Sequence, residues 1–492
     1  MASMEEIRAV RIEKIALLEK NKIDAYPARV EKTHNLIELA DKFENLVKND
    51  KSVTAVGRIM SLRGQGAILF IDLFDGTGKF QALLKEDENP TYFENSDVEG
   101  FSLFKETVDE SDFIQVTGKV FETKRGEKTI AIENWKMLAK SLRPVPDEHF
   151  GLKDEDERYR RRYIDILLNS EVRETVKRRS IFWNTFRTFL LEKDYVEVQT
   201  PVLENTPGGA EARPFVTHHN ALDIDVYLRI SCGELWQKKL LVSGMPKTFE
   251  IGRIFRNEGI SATHLQDYTQ VEFYEAYSDF EKGMKMVKDL YTTVAEKTFG
   301  TTKFEIEGAE VDLSDEWEEY DYVKIIEDKF KINVLDASLD DLVKIIDGAN
   351  IAREKDLNKE RATDLVWKAC RKDLTGPGFL INVPLFLEPL AKKTEDGRTV
   401  ERFQVILGGT EVGKGFSELN NPIDQSERFE HQESLRAAGD DEAQMKDSEY
   451  IEAMEYGMPP AFGFGISERL FAILSGVSVR EAQIFPLMRP KD

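Results

Sequence analysis

Cysteine and histidine are both scarce in this sequence. Its 492 residues include two cysteines, Cys232 and Cys370, and six histidines. The cysteines stand alone, with neither the spacing of a disulfide framework nor that of a zinc site. The composition therefore argues against a disulfide framework and against a structural zinc.

Long apolar runs are missing as well. No stretch approaches the roughly 20 residues that a membrane-spanning helix needs. The amino-terminal residues MASMEEIRAVRIEKIALLEK indicate a charged amphipathic helix rather than a signal sequence. We therefore expect a cytoplasmic protein with no membrane partner.

Positive charge is in deficit, since 68 lysines and arginines face 91 acidic residues, for a net charge of -23. A nonspecific DNA binder would normally be basic, so this class is disfavoured. Specific RNA recognition remains open because it depends on local basic patches. Two such clusters occur, although each taken alone is more simply a solvated face: Arg158, Arg160, Arg161 and Arg162, and Lys119, Lys124, Arg125 and Lys128.

The length and a hydrophobic content of 41% predict two or more packed domains. Residues 1–50 indicate a charged helical extension. Residues 51–143 contain five short strands separated by turn residues, with a long irregular stretch between the third and fourth. This pattern is typical of an OB-fold barrel. Residues 144–170 follow as a linker, and residues 171–492 form a second domain with a helical insertion at about 315–375.

The most informative stretch is residues 248–277, which predicts two strands joined by a long polar loop. Alternation places Tyr268, Gln270, Glu272 and Tyr274 on one face of the second strand. Arg256 ends the first strand, and the loop carries Glu258 and His264. A cation, carboxylates and aromatics that converge in this way predict a pocket. An amphipathic hairpin with a solvated polar face is the alternative.

The strings FRNEG and HLQDYTQVEFY resemble motif 2 of the class II aminoacyl-tRNA synthetases, and specifically that of the lysyl-tRNA synthetases. The predicted helix at 171–193 with DYVEVQTPVL resembles motif 1, and PPAFGFGISERLFAIL resembles motif 3. The resemblance implies an α+β multidomain chain. An amino-terminal OB-fold anticodon-binding barrel would precede a class II catalytic domain, an antiparallel sheet flanked by helices. In the family, motif 1 lies at a homodimer interface, so a homodimer is expected.

The resemblance also implies a reaction, lysine–tRNA ligation. ATP and L-lysine would give lysyl-adenylate, and the lysyl group would pass to the 3′ end of tRNA(Lys). The transition state at the α-phosphate gathers negative charge, which fixed cations in a dry pocket stabilise. The residues implied as catalytic are Arg256, Glu258 and Arg469. Those implied to bind ATP are Arg256, Glu258, His264, Tyr268, Glu411 and Arg469.

Lysine carries two ammonium groups, and a desolvated cation needs carboxylate partners. The resemblance implies a lysine site of Gly209, Glu234, Glu272, Tyr274, Lys414, Phe416 and Glu418. Lys414 departs from the family, which usually carries asparagine there. We expect its ammonium to pair with the substrate carboxylate or with a pocket acid.

Two further sites follow from the resemblance. Mg²⁺ would be held at Gln404 and Glu411, although glutamine at 404 replaces the family's acid and offers only an uncharged oxygen. In the barrel, Arg63, Phe70 and Gln81 would read the anticodon by stacking and hydrogen bonding. Phe70 could equally be a residue of the barrel core.

Three rival functions are weighed against lysine–tRNA ligation. An aspartyl- or asparaginyl-specific relative would need fewer pocket acids. A paralogue that lysylates a protein would lack the barrel. A catalytically silent regulatory or RNA-binding paralogue conflicts with retention of Arg256, Glu272 and Arg469, while Gln404 and Lys414 favour it.

Overall fold

The computed structural model describes residues 3–88, 91–92, 95–146, 152–259, 261, 264–353, 357–440 and 442–491. It divides into two compact units, Met1–Lys153 and Asp154–Asp492. Part of the predicted linker (147–151) and part of the motif 2 loop (260, 262 and 263) lie outside the described residues. Each helix in the described ranges is too short or too polar to cross a membrane.

The first unit is a small barrel with helices packed on it. Its helices are α1 Met4–Lys20, α2 Leu36–Asp41, α3 Phe43–Lys48 and α4 Gly100–Thr107. Its strands are β1 Ser52–Gln65, β2 Ile68–Phe74, β3 Lys79–Lys85, β4 Thr91–Tyr92, β5 Asn95–Glu99, β6 Phe113–Glu122 and β7 Lys128–Ala139.

Five of these strands close the barrel. Antiparallel pairing runs from β3 through β2, β1 and β6 to β7, and parallel pairing of β3 with β7 completes the circle. The predicted OB-fold barrel is confirmed. The stretch that the sequence shows as irregular holds α4 and the short strands β4 and β5, and β4 pairs with β7.

The amino-terminal helices share the core of this barrel. Leu18, Leu36, Leu39 and Phe43 are buried in one cluster with the inward residues of β1, β2, β6 and β7. The segment Leu18–Leu46 therefore contributes to the barrel's core.

A buried ion pair also secures this unit. The Lys140 ammonium lies 2.7 Å from a carboxylate oxygen of Asp112, and both side chains are fully buried. Burial raises the pKa of Asp112, while Lys140 acts in the opposite direction. Lys140 therefore favours the charged form of Asp112, and the backbone N–H groups of Asp109 and Ser141 also donate to this carboxylate.

We expect Lys140→Met to destabilise the barrel by about 3–5 kcal/mol, because it leaves Asp112 buried without its cation. Hydrogen exchange of β6 and β7 peptides in the full chain measures this. The control is Lys14→Met, which removes a partly exposed lysine 2.6 Å from Asp109 and should cost less than about 1 kcal/mol. Equal exchange in the two variants would contradict the expectation.

The second unit is built on one large sheet. Its helices are α5 Glu155–Arg160, α6 Arg162–Leu168, α7 Ser170–Leu191, α8 Glu234–Val242, α9 Phe280–Phe299, α10 Tyr322–Phe330, α11 Leu339–Gly348, α12 Lys359–Cys370, α13 Pro422–Ala437, α14 Ser448–Glu455, α15 Arg469–Leu474 and α16 Val479–Ala482. Short 3-10 helices cover Arg371–Asp373 and Leu385–Leu387. Its strands are β8 Val196–Glu197, β9 Leu203–Glu204, β10 Val216–His219, β11 Ile224–Leu228, β12 Lys247–Phe255, β13 Asp267–Ala276, β14 Lys303–Ile306, β15 Ala309–Asp312, β16 Glu318–Asp321, β17 Gly378–Ile381, β18 Val383–Pro384, β19 Thr399–Val400, β20 Arg402–Leu407, β21 Thr410–Ser417 and β22 Ala461–Ser467.

The sheet runs in the order β16-β17-β20-β21-β22-β13-β12-β8. Its six central strands, from β17 to β12, are antiparallel, and both edge strands pair in parallel. Helices α7 and α9 pack on one face, where their aromatic and aliphatic residues join those of β13, β20 and β22. The predicted antiparallel sheet flanked by helices is confirmed.

The predicted insertion at about 315–375 contains the helices α10, α11 and α12, but it begins with a strand. β16 pairs with β17 at the edge of the main sheet. Its residues, EEYD, show no alternation of apolar side chains, and its backbone makes the pairing with β17. The Tyr320 hydroxyl also accepts from the Gly376 N–H, and Asp321 accepts from Asn382 Nδ2. The sequence pattern therefore carries no sign of this strand.

Candidate active site

A cavity of about 400 Å³ lies on the face of the sheet opposite α7 and α9. Tyr268, Gln270, Glu272 and Tyr274 of β13 all line it, as their alternation predicts. Val271 and Phe273, between them, point into the core. The amphipathic strand therefore has a cavity, not open solvent, on its polar face.

One end of the cavity is acidic. Glu272 accepts hydrogen bonds from the backbone N–H of Cys232 at 2.8 Å, from Gln270 Nε2 at 2.6 Å and from the Tyr274 hydroxyl at 3.1 Å. Burial raises the pKa of Glu272 to about 7, and the negative charge of Glu234 acts in the same direction. The three donors favour the ionised form and fix the carboxylate in place.

Two more acids stand behind Glu272. Glu234 opens α8, and Glu418 follows the last residue of β21. The ammonium of Lys238 lies 2.7 Å from Glu234 Oε1 and 2.6 Å from Glu418 Oε2. It also lies 5.2 Å from the ring centroid of Phe416 and 5.8 Å from that of Tyr274. A lysine of the chain thus bridges two of the acids that the resemblance implies for substrate.

Two glycines keep this acidic end open. Gly209 has φ +82°, and a Cβ there would lie 2.6 Å from the Cβ of Glu234. A Cβ on Gly463 would lie 2.2 Å from Glu418 Oε1 and 2.4 Å from the Tyr274 ring. A side chain at either position would therefore collide with an acidic residue of the site.

The other end of the cavity is cationic. Arg256 and Arg469 both line it and also line a neighbouring cavity of about 300 Å³. Arg256 Nε donates to the Ile230 carbonyl at 3.2 Å, and its guanidinium lies 5.8 Å from the ring centroid of Tyr268. Burial lowers the pKa of Arg469, and nearby arginines act in the same direction.

Glu258 and His264 line the neighbouring cavity beside these arginines. Burial lowers the pKa of His264 from its ordinary value of 6.5, and Arg469 adds to the effect. Its ring is therefore neutral at pH 7. The ring nitrogen Nδ1 lies 2.8 Å from the hydroxyl of Ser261.

Lys414 lies on β21, opposite Gln404 of β20. Its ammonium is 3.4 Å from both carboxylate oxygens of Glu388. Arg402 Nε lies 3.0 Å from the same carboxylate. Of the two partners expected for Lys414, the structure therefore supplies an acid of the cavity wall, since Glu388 lines the same cavity.

In the barrel, the three residues predicted to read an anticodon lie on adjoining strands. Arg63 of β1 is opposite Phe70 of β2, and Asp72 of β2 is opposite Gln81 of β3. Leu69, Ile71 and Leu73 fill the core, so Phe70 faces outward with Asp72. Arg63 pairs with Asp72 at 2.7 Å, and Gln81 accepts from the Thr129 hydroxyl at 2.9 Å. Of the two placements considered for Phe70, the structure supports the outer one.

Comparison with known proteins bears on both units. Residues 154–489 match a family model described as tRNA synthetases class II (D, K and N). Residues 53–138 match one described as an OB-fold nucleic acid binding domain. The chain belongs to the class II tRNA synthetases.

Similar curated proteins extend over the whole length of this synthetase. A lysine–tRNA ligase of Carboxydothermus hydrogenoformans is 41% identical over 501 residues, which cover 99% of each chain. One of Fervidobacterium nodosum is 39% identical over 99% of this chain and 95% of its own. One of Clostridium perfringens is 39% identical over all of this chain and 97% of its own. The predicted family is confirmed, and the protein is an aminoacyl-tRNA ligase.

The two residues predicted to hold Mg²⁺ have protein partners in this synthetase. Glu411 accepts from Trp367 Nε1 and from Arg371 Nη1, each at 2.7 Å. The side-chain oxygen of Gln404 accepts from Arg402. Within the described ranges, no group of three or more acidic, histidine or cysteine side chains could hold a metal ion. As they stand, Gln404 and Glu411 do not fit a bound metal.

Sequence reasoning missed several residues of the synthetase site. Lys238 stands one turn after Glu234 on α8, and this i,i+4 spacing was a usable signal. Arg371 and Glu388 come from segments distant in sequence, and nothing local marks them. Gln270 shares the pocket face of β13 but was not assigned a role.

We expect Gly463→Ala to destabilise the catalytic unit by about 1–3 kcal/mol, because its Cβ would overlap the buried Tyr274 ring and Glu418. Urea unfolding of the full chain, followed by hydrogen exchange of β22 peptides, measures the change. A Cβ on Gly348 would meet nothing within 4 Å, so Gly348→Ala on α11 should be neutral or slightly stabilising. A neutral Gly463→Ala would show that the acidic end of the cavity has spare room.

Proposed function

We propose that this synthetase is a lysine–tRNA ligase that activates L-lysine with ATP and transfers it to the 3′ end of tRNA(Lys). One observation carries the proposal: a single cavity has Arg256 and Arg469 at one end and buried carboxylates at the other. This separation of charge suits lysine, because its two ammonium groups would meet the buried carboxylates while its own carboxylate meets a phosphate beside the arginines. Full-length relatives that carry the name lysine–tRNA ligase support the same function.

In the first step, a carboxylate oxygen of lysine attacks the α-phosphorus of ATP. The bond to the pyrophosphate oxygen breaks, and lysyl-adenylate and pyrophosphate result. Negative charge grows on the α-phosphate in the transition state. We assign Arg256 to the carboxylate and α-phosphate together, because its planar guanidinium donates to two acceptors at once.

The remaining nucleotide contacts belong to the neighbouring cavity. Arg469 is assigned to the outer phosphates, Tyr268 to the adenine base, and Glu258 and His264 to the adenine and triphosphate sides. The neutral His264 ring can donate one hydrogen bond without adding charge. Glu411 lines the first cavity, and its carboxylate accepts hydrogen bonds from Trp367 and Arg371.

The amino acid would enter the acidic end. We assign the lysine ammonium groups to Glu234, Glu272 and Glu418, with Tyr274 and Phe416 along the aliphatic side chain and Gly209 at the backbone. We assign Lys414 a structural role in the cavity wall, because its ammonium pairs with Glu388. At this end an aspartate or asparagine side chain would meet the carboxylates of Glu234 and Glu272. The cations near Phe416 are already paired, Lys238 with Glu234 and Glu418, and Lys414 with Glu388.

In the second step, a terminal ribose hydroxyl of tRNA attacks the acyl carbon of lysyl-adenylate, and AMP leaves. We propose that the outer face of β1, β2 and β3 binds the anticodon through Arg63, Phe70 and Gln81. An outward aromatic with hydrogen-bonding neighbours is what stacking on unpaired bases requires.

The proposal includes Mg²⁺, but not the metal site that the sequence predicts at Gln404 and Glu411. Gln404 and Glu411 are engaged with Arg402 and Arg371. We propose that the metal arrives with the phosphates of ATP, whose oxygens are its preferred ligands. A cytoplasmic location remains a prediction.

We also propose a homodimer. Apolar side chains are exposed along α7, β8 and β9, where the resemblance to motif 1 lies. Ile181, Leu191, Val196, Val202 and Leu203 are each between 41% and 49% exposed. Such a concentration of exposed apolar residues is typical of an interaction surface.

The decisive measurement is amino-acid-dependent exchange of pyrophosphate into ATP. Lysine should support exchange, and aspartate or asparagine should not, because the site presents carboxylates to the side chain. Arg256→Ala should slow exchange by about 10²–10³-fold, the scale for losing one preorganised donor to the transition state. The matched control is Arg253→Ala on the same strand, whose guanidinium pairs with Asp267. Exchange with aspartate equal to that with lysine would refute the proposal.

The anticodon assignment has a separate test. Replacing both Phe70 and Gln81 with Ala should impair charging of tRNA(Lys) and leave exchange intact, since each lost stack costs about 1–3 kcal/mol. Ile37→Ala, which removes an exposed apolar side chain from α2, is the control. Normal charging by the double variant would remove this face of the barrel from tRNA recognition.

A further inference from the structure

One charged group of the site has no part in the proposed reaction. Lys238 is fully buried on α8, and a fully buried lysine is rare because its ammonium must leave water. Burial alone would lower the pKa of Lys238, but Glu234 and Glu418 raise it above its ordinary value. The side chain therefore remains a cation in a dry part of the protein.

Lys238 engages only one oxygen of each neighbouring acid. It binds Oε1 of Glu234 and Oε2 of Glu418. A Cβ on Gly209 would lie 3.1 Å from Glu234 Oε2, and one on Gly463 would lie 2.2 Å from Glu418 Oε1. Both glycines line the cavity. The oxygens that Lys238 leaves therefore lie next to the two glycines of the cavity wall.

Both carboxylate oxygens of Glu418 are buried without a well-aligned hydrogen bond among the described residues, and Oε2 has the ion pair with Lys238 at 2.6 Å. A carboxylate in the interior is costly unless a cation or a ligand compensates it. Glu234 and Glu272 line the cavity, whereas Lys238 and Glu418 are not among the described residues that line it. Lys238 therefore lies behind Glu234, together with Glu418, rather than in the place of a ligand.

The groups that face Lys238 are acids and tyrosines. Burial raises the pKa of Glu272 to about 7 and that of Glu418 to about 8, and the charge of Lys238 acts against the rise at Glu418. The other polar groups that face Lys238 are the hydroxyls of Tyr274 and Tyr450, and burial raises the pKa of both, so they are neutral. Lys238 therefore favours the ionised form of Glu418.

We propose that Lys238 is a positioning residue for amino-acid selection. Its ammonium holds Glu234 Oε1 and Glu418 Oε2, orients the carboxylate of Glu234 at the cavity wall, and favours the ionised form of Glu418. This inference rests on the proposed function. Without Lys238, two carboxylates would lie close together in a dry site with no cation between them, which would favour protonation of one and weaken its hold on the substrate.

The test compares Michaelis constants for lysine and ATP in pyrophosphate exchange by the full chain. Lys238→Met should raise the constant for lysine at least about tenfold, on the scale of breaking a buried ion pair, and change that for ATP less than about twofold. Lys238→Arg, which keeps the charge, should recover most of the lost lysine affinity. The thermal shift induced by lysine gives a second readout that does not require turnover.

Lys239→Met is the matched control. Lys239 is the next residue of α8, and its ammonium lies 4.5 Å from the ring centroid of Trp236 and 3.9 Å from Asp447 and Glu449, not on Glu234 or Glu418. If Lys238→Met does not fold at the assay temperature, Lys238→Gln replaces it, since an amide can still donate to one carboxylate.

Three outcomes would overturn the inference. In the first, Lys238→Met or Lys238→Gln has the same Michaelis constant for lysine as the parent protein. The constants for lysine and ATP could rise together, which would indicate general damage to the site. Absence of lysine-dependent exchange in the parent protein would overturn the proposed function and the inference with it, whereas the first two results leave the proposed function standing.

Discussion

The alternation of side chains across the central strands is the constraint on which the catalytic unit depends. β13 sends Val271 and Phe273 into a core closed by α7 and α9, and it sends Glu272 and Tyr274 into the cavity. A shift of one residue in register would exchange these two sets. Pairing with β12 on one side and β22 on the other fixes the register. Core and site are therefore specified by the same hydrogen bonds.

In the catalytic unit, several buried charges are paired with opposite ones. Arg229 pairs with Glu250 at 2.5 Å, Arg402 with Glu388, and Lys238 with two acids. Buried charges of this kind contribute little net stability, but the loss of one partner is costly. Their value here is positional: they hold carboxylates and guanidinium groups in fixed orientations before any substrate arrives.

The sequence was sufficient for the fold and for much of the site. The strands of motif 2 and the barrel could be predicted because alternation is a local property of the chain. The outer placement of Phe70 could also have been decided, since Asp72 shares its face of β2 and an aspartate does not belong in a barrel core. β16 could not be predicted, because its four residues show no apolar alternation and its pairing with β17 joins segments distant in sequence.

The ion pairs that shape the cavity could not all be predicted from local sequence patterns. The pairing of Glu234 with Lys238 can be predicted, because the two residues are one helical turn apart. Glu418 is distant in sequence, and only the folded sheet brings it to Lys238. Gln404 and Lys414 lie opposite each other on β20 and β21. The resemblance implies an acid at the first position and an asparagine at the second, so the two unexpected residues are neighbours.

The bonds from Trp367 and Arg371 to Glu411 join the insertion to the floor of the cavity. Trp367 belongs to α12, and Arg371 to the 3-10 turn that directly continues it. The carboxyl-terminal end of α12 and the turn after it are therefore bonded to Glu411, a carboxylate of the cavity wall. A rotation of α12 about its axis would draw Trp367 and Arg371 away and release Glu411 to new partners. The insertion therefore contributes directly to the structure of the cavity.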